Sequence, residues 1–438
     1  MKRLRILFPV LVILFFPILL WNCVKKGEEA KKTKIRFAYW ASTADAYLID
    51  ELVNTFEKEN PDIDVIQEMV PWAAYPQKMM VQFAANTAPD VIMTSTERAS
   101  VFIEKQALID LYPFINKDTE INIKDFYPDL VDRMSKDGKL YVLPRDIDLT
   151  NCVYYNKKIF DEEKVPYPKD DWNWDEFLSV CKKVTKDFNN DGKIDRYAIT
   201  FYGFYNILIY SNGGMLVDDV KNPTRCTIDN EKCIEAMQFY NDLVFKYKVS
   251  PIPETIVSSL GIEEPDLFKA QKTAMFFAGI WMTPMFNQDI KDFDWDIAMF
   301  PKGPKGPRKF IAEGSGYSIT KSSKNPEMAW KLVKLLGGER GQRVLSRTGL
   351  AQPSIMSLAN SPVFLTGGRP ENKKIVVEGA KMGVFRPFTA KWDIIEENYL
   401  NPQMNLIMSP DPSNRIPVEK GLKDIARKIN KEVFEKTE

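Results

Sequence analysis

Apolar residues at Ile35, Phe37 and Tyr39 alternate with polar ones, the two-residue period of a strand, and Trp40, Ala41, Ser42 and Thr43 follow as a loop. Leu48, Ile49, Leu52, Val53 and Phe56 then recur at helical spacing until Asn60 and Pro61 close the helix. A second strand over Asp64–Gln67 and a helix over Tyr75–Ala85 come next. Pro89 and Asp90 lead into the short apolar run Val91, Ile92, Met93, which ends in Thr94, Ser95 and Thr96. Strand, helix, strand, helix, strand predicts a mostly parallel sheet, whose ligands sit beyond the carboxyl ends of the strands. Trp40–Thr43 and Thr94–Arg98 fall at those ends.

Further along, Lys139–Tyr155 holds two extended runs around Pro144, Arg145 and Asp146, which predicts a crossing into a second lobe. Asn173 caps a helix and Glu176 stands three residues on, the reciprocal capping-box spacing. Another helix spans Asn230–Tyr247. The strand-like Phe293–Phe300 runs into Pro301, Lys302, Gly303, Pro304, Lys305, Gly306 and Pro307, a linker suited to a return crossing. Asn325 and Pro326 start a helix that Gly337 and Gly338 stop. The rest reads as helices joined by Pro and Gly turns.

The amino terminus departs from this grammar. Lys2, Arg3 and Arg5 precede an apolar run from Ile6 to Leu20, and Cys23 follows, the layout of a secretory signal (residues 1–22) ending at a lipidated cysteine. The run is shorter than the ~20 residues of a comfortable span and contains Pro9 and Pro17. Trp21 and Asn22 stand where such signals usually place small residues. Residues 23–33 are charged and read as a flexible tether. The expectation is an extracytoplasmic protein held at the membrane by lipid.

A chain of 438 residues exceeds one ordinary core and predicts two lobes. Lys plus Arg and Asp plus Glu both number 60, so no net field recruits nucleic acid. With no histidine, Ser-His-Asp and Cys-His chemistry and His-ligated zinc are excluded. Apart from Cys23 there are Cys152, Cys181, Cys226 and Cys233; Cys226 and Cys233 are near enough in sequence for a local bridge, Cys181 reads as a small buried apolar residue, and the pairing stays open.

Several stretches in order carry a resemblance: Phe56–Pro61, Ala88–Met93, Tyr154–Phe160 ahead of Trp174–Phe177, Ala274–Trp281, Gly314–Ile319 and Ser323–Trp330. Together they resemble the type-1 extracellular solute-binding proteins, the maltose-binding-protein-like carbohydrate receptors of ABC importers, over nearly the whole mature chain. The resemblance implies the two-lobed periplasmic-binding-protein fold of type II, each lobe a mostly parallel sheet flanked by helices, with the ligand cleft between them. The lobes are expected at 34–145 with 297–338, and at 146–296 with 339–438. It further implies a monomer that captures a mono- or oligosaccharide by lobe closure and passes it to a permease, with no catalysis.

Sugars present hydroxyls and apolar ring faces, so a sugar cleft combines aromatics with Asp, Glu, Asn, Gln and Arg. By position in the family, Trp281 is expected to line the cleft and Glu97 and Arg98 to meet sugar hydroxyls beside Ser95. Trp40, Ser42 and Asp45 occupy the first strand-to-helix loop. Arg145 and Asp146, with Asp148, lie at the inferred crossing. Tyr202 and Tyr205 belong to an aromatic segment, Gly316 to a glycine-rich strand that could expose backbone N–H groups, and Arg386 and Trp392 to the last segment. Asp187, Asn189, Asp191, Lys193 and Asp195, with Gly192, are spaced like an EF-hand loop, although Ala198 stands where the closing glutamate belongs. A structural calcium and an unoccupied Asx-rich turn are the two readings of that loop. Alternatives to the sugar receptor are a receptor for glycerol phosphate or another small solute, and a lipid-anchored glycoside hydrolase with paired carboxylates.

Overall fold

The structure is a computed structural model and describes residues 32–42, 46–203, 205–253 and 263–435. The leader, Cys23 and Asp45 lie outside the described residues. Among those described, no helix is long and apolar enough to cross a membrane.

Two sheets organise the chain. The first uses β1 (Thr33–Tyr39), β2 (Ile63–Met69) and β3 (Val91–Ser95), joined by α1 (Ala46–Glu59) and α2 (Tyr75–Ala84). After a small hairpin, β4 (Ser135–Lys136) with β5 (Lys139–Leu140), the chain enters β6 (Leu143–Thr150). The second sheet holds β7 (Cys152–Asn156), β8 (Tyr197–Phe201), β9 (Thr273–Ala278) and β10 (Trp295–Met299). The chain then returns to the first sheet through β11 (Phe310–Ile319), β12 (Gln352–Pro353) and β13 (Gly383–Phe385). Strand order is β12-β6-β11-β3-β1-β2 in the first sheet, with β13 also on β11, and β10-β7-β9-β8 in the second.

The expected two-lobed α/β architecture is present, but the pairing is mixed rather than mostly parallel. β1 pairs in parallel with β2 and β3, the part that strand-helix-strand alternation requires. β11 runs antiparallel to β3 and β6 because it re-enters the sheet from the other lobe instead of through a local helix crossover. β6 continues the first sheet to Thr150 and β7 opens the second at Cys152, so Asn151, not residue 145, stands between them. β12 and β13 bring the 339–438 segment into the first sheet.

Local rules account for the elements. The apolar stripe of α1 (Leu48, Ile49, Leu52, Val53, Phe56) is buried. The capping box forms at Asn173: its side chain accepts from Glu176 N and Glu176 accepts from Asn173 N, both at 3.0 Å. Cys152, Cys181, Cys226 and Cys233 are buried free thiols, so no Cys226–Cys233 bridge forms here.

Candidate functional site

The topology creates one unusual place. β3 ends at Ser95 opposite Ser315 of β11, while β13 ends at Phe385 opposite Ala312. β13 is parallel to β11 and β3 is antiparallel to it, so the carboxyl ends of β3 and β13 face each other across Glu313 and Gly314. The residues that leave those ends, Glu97 and Arg386, therefore converge on Glu313. Here lies a cavity of about 150 Å³, lined among others by Glu97, Tyr205, Asn206, Glu313, Arg386, Trp392 and Glu396. Tyr205 and Asn206 come from the second lobe, just after β8, so both lobes contribute.

Charge in the cavity is arranged in pairs. The Arg386 guanidinium bonds Glu396 at 2.5 Å and Asp393 at 2.7 Å. Burial alone would lower its pKa, but Glu396, Asp393 and Glu97 outweigh that and hold it firmly charged. Trp392 donates its indole N–H to Glu396 at 2.6 Å, which fixes both side chains. Arg98 pairs with Asp393. Arg133 donates to the carbonyl oxygens of Arg386 and, at 3.2 Å, Val220, setting the backbone that carries Arg386. Burial, then its neighbour and hydrogen-bond partner Glu97 and then Asp148, push the Glu313 carboxyl well above the usual range. Asp148 stands directly opposite Glu313 on β6 and is raised by burial and by Asp146. Burial likewise raises the Tyr205 hydroxyl. Asn206 Oδ1 and Ser95 Oγ, both buried, have no hydrogen-bond partner among the described residues. Orphan polar atoms of this kind in a cavity wall are what a polar ligand would satisfy.

Of the residues singled out from sequence, Glu97, Tyr205, Arg386 and Trp392 line this cavity, with Ser95 and Arg98 beside it. Others are placed elsewhere. Arg145 and Asp146 form a buried pair within the first sheet; Asp146 also accepts from Ser315 N at 2.6 Å and Ser315 Oγ at 3.0 Å, so it braces β6 against β11. Gly316 serves the same strand pair: a Cβ there would lie 2.2 Å from Leu143 O, so the glycine permits close backbone approach rather than presenting N–H groups to ligand. Trp281 folds over Gly279, whose Cβ would collide with the indole ring at 1.8 Å. Tyr202 is partly exposed beside Phe276. Ser42 is exposed past the end of β1, and Trp40 packs on Trp72 at the same end of the first sheet.

Glu313 and Glu396 line the cavity without belonging to any sequence motif, and Asn206 joins them from the end of the aromatic segment. Glu313 sat unnoticed before the Gly314–Gly316 stretch; an acidic residue inside an otherwise apolar strand is the signal that could have found it.

The Asp187–Asp195 loop is an Asx-turn loop. Asp187 accepts from Asp191 N at 3.2 Å and Gly192 N at 2.8 Å, Asn189 accepts from Asp191 N at 3.0 Å, and Asp195 accepts from Phe188 N at 2.7 Å. Among the described residues no cluster of three or more acidic or thiol ligands is placed to hold a metal ion. A larger groove of about 740 Å³ lies near Phe56 and Leu335, where Arg340 pairs with Glu59, Lys334 with Glu120 and Arg343 with Glu339.

Comparison with known proteins agrees with the fold. The galactooligosaccharide-binding protein of Bacillus subtilis is 25% identical over 414 residues, covering 91% of this chain and 89% of that one. An ABC substrate-binding protein from Listeria monocytogenes, solved in complex with cycloalternan, superposes with a TM-score of 0.80 at 26% identity over 91% of this chain and 98% of its own. The maltotriose-bound maltose/maltodextrin-binding domain from Bdellovibrio bacteriovorus gives 0.73 at 21% identity, covering 91% and 100%. The family model described as bacterial extracellular solute-binding protein matches residues 40–343, and the chain belongs to that family.

Proposed function

We propose that the protein captures a neutral carbohydrate between its lobes and delivers it to the permease of an ABC importer, without a chemical step. The observation that carries this is the commitment of Arg386, among the described residues the one cation in the cavity wall, to Asp393 and Glu396, beside the carboxyl groups of Glu97 and Glu313, the amides of Asn206 and Asn401 and the rings of Tyr205, Tyr210 and Trp392. A phosphate ester needs uncommitted cations, whereas sugar hydroxyls are met by carboxylates and amides and sugar faces by aromatic rings. The sugars named for the Bacillus and Listeria relatives support the same class.

In this reading Glu97, Asn206, Glu313 and Tyr205 meet hydroxyls, and Trp392 walls the cavity. Contacts from both lobes are available together only when the lobes close, so ligand shifts the population toward the closed form. We assign the change of lobe to Asn151 rather than to residue 145, with β6, β12 and β13 of the first sheet tying the two lobes together. Export, a lipid on Cys23 and a monomeric state complete the proposal; no metal is required.

A thermal-shift screen of the protein against mono- and oligosaccharides and glycerol 3-phosphate tests it. A sugar at a hundredfold excess over its dissociation constant adds ~2.7 kcal/mol of stability. Stabilisation by a sugar that is recovered intact after incubation is expected. Stabilisation by glycerol 3-phosphate alone, or cleavage of the sugar, would sink the reading.

A further inference from the structure

We propose that Trp72, backed by Trp40, is a second stacking platform of the same cleft, and that the ligand is therefore a saccharide of more than one unit. This rests on the carbohydrate reading above and extends it to a subsite outside the enclosed cavity. Trp72 is 44% exposed, the one tryptophan among the exposed large apolar side chains of the described residues. Its exposed indole offers a flat apolar face on which a sugar ring can stack.

Its position is fixed, not accidental. Trp40 leaves β1, and Trp72 follows β2 in a short helical turn, Trp72–Ala74, begun by Pro71. The two indoles meet edge to face at 4.9 Å, and Trp40 meets Tyr75 in the same way at 5.0 Å. Tyr75 is buried and donates to Ala38 O of β1 or Met93 O of β3, at 3.1 and 2.8 Å. The turn carrying Trp72 is thus pinned to the strands that also position Glu97, and stacking on it costs little ordering entropy.

The strand order supplies the geometry. β3, β1 and β2 are adjacent, and their carboxyl ends carry Glu97, Trp40 and Trp72 in that order. Two inter-strand steps separate the first from the last, ~10 Å. That is wider than a single pyranose ring, while the cavity at Glu97 is small and walled by Arg386 and Trp392. A sugar chain with one ring in the cavity would extend along the strand ends onto the Trp72 face.

The test is calorimetric titration of the full protein with glucose- and galactose-based saccharides of increasing length. Wild type is expected to bind longer saccharides more tightly, and Trp72→Ala to lose roughly tenfold in affinity for them while binding of the shortest bound member is unchanged. Trp72→Phe should restore most of the loss. If Trp72→Ala leaves every affinity unchanged, or weakens all lengths equally, the second platform is refuted and the carbohydrate reading stands. If wild type binds none of these saccharides, both fall together.

Discussion

The side chains of Glu313 and Glu97 are hydrogen-bonded to each other where the ends of β3 and β13 meet, an arrangement that two ionised carboxylates would not adopt. Glu313 belongs to a strand, Glu97 to the start of the helix Thr96–Glu104, and Asp148 faces Glu313 from the neighbouring strand. The cavity floor therefore favours the protonated form of Glu313.

That preference links stability to pH. A carboxyl whose pKa is raised on folding stabilises the native state fully below its unfolded pKa, and the contribution is lost as pH rises through the folded value. Each unit of separation is worth ~1.4 kcal/mol. Glu313→Gln keeps the hydrogen bond without the ionisation. The variant should gain stability relative to wild type as pH is raised from 5 to 9, read as the difference of urea midpoints. A difference that does not change with pH would mean that Glu313 ionises normally.

Arg386 holds two carboxylates at once. Arg386→Ala should cost about 2 kcal/mol in stability, less than for a fully buried ion pair because Asp393 and Glu396 retain some access to water. It should also weaken sugar binding at least tenfold, because Glu396 and Trp392 lose their fixed positions. Retained affinity would remove Arg386 from the site.

Asp146 provides the opposite case. Asp146→Asn should destabilise by about 3 kcal/mol, since it strips the buried Arg145 of its partner. Affinity in the remaining folded protein should stay within a factor of about two, the mark of a brace away from ligand. A selective loss of affinity would return Asp146 to the binding surface.

Gly316→Ala would place a methyl 2.2 Å from Leu143 O. The expected cost is about 3 kcal/mol, visible as a lower melting temperature with or without sugar. An unchanged melting temperature would show that β6 and β11 can separate at this point.

The four thiols give a simple check on the fold. Burial pushes Cys226 up to about 11 and Cys233 up to about 12, and Cys152 and Cys181 higher still. None of the four should react with a thiol reagent at pH 8 in the native protein, and all four should react in denaturant. Rapid labelling of the native protein at Cys226 or Cys233 would show that the segment around them opens.

Local chemistry made much of this legible in the sequence. The stripe of α1 and the Asn173 cap involve residues a few positions apart, and both are present as expected. The mixed sheets were not readable, because the register of β11 against β3 joins residues more than two hundred positions apart and leaves no local period. The same reason explains the mixed outcome at the site. Glu97 and Arg386 were recognisable as strand-end residues, but Glu313 acquires its meaning from two strand ends that converge on it. Arg145, Asp146 and Gly316 look like ligand groups until the pairing of β6 with β11 shows them braced inside the sheet.

The head-to-head meeting of β3 and β13 also sets a timetable. β3 is complete by residue 95, yet the strand that closes the cavity and the residues that furnish its cation and tryptophan wall lie at 383–392. A chain emerging amino terminus first would possess most of both sheets before it possessed a binding site. Capture of solute is therefore reserved for the finished molecule, and a chain cut short before Gly383 would keep every strand described except β13 and would lack the pocket.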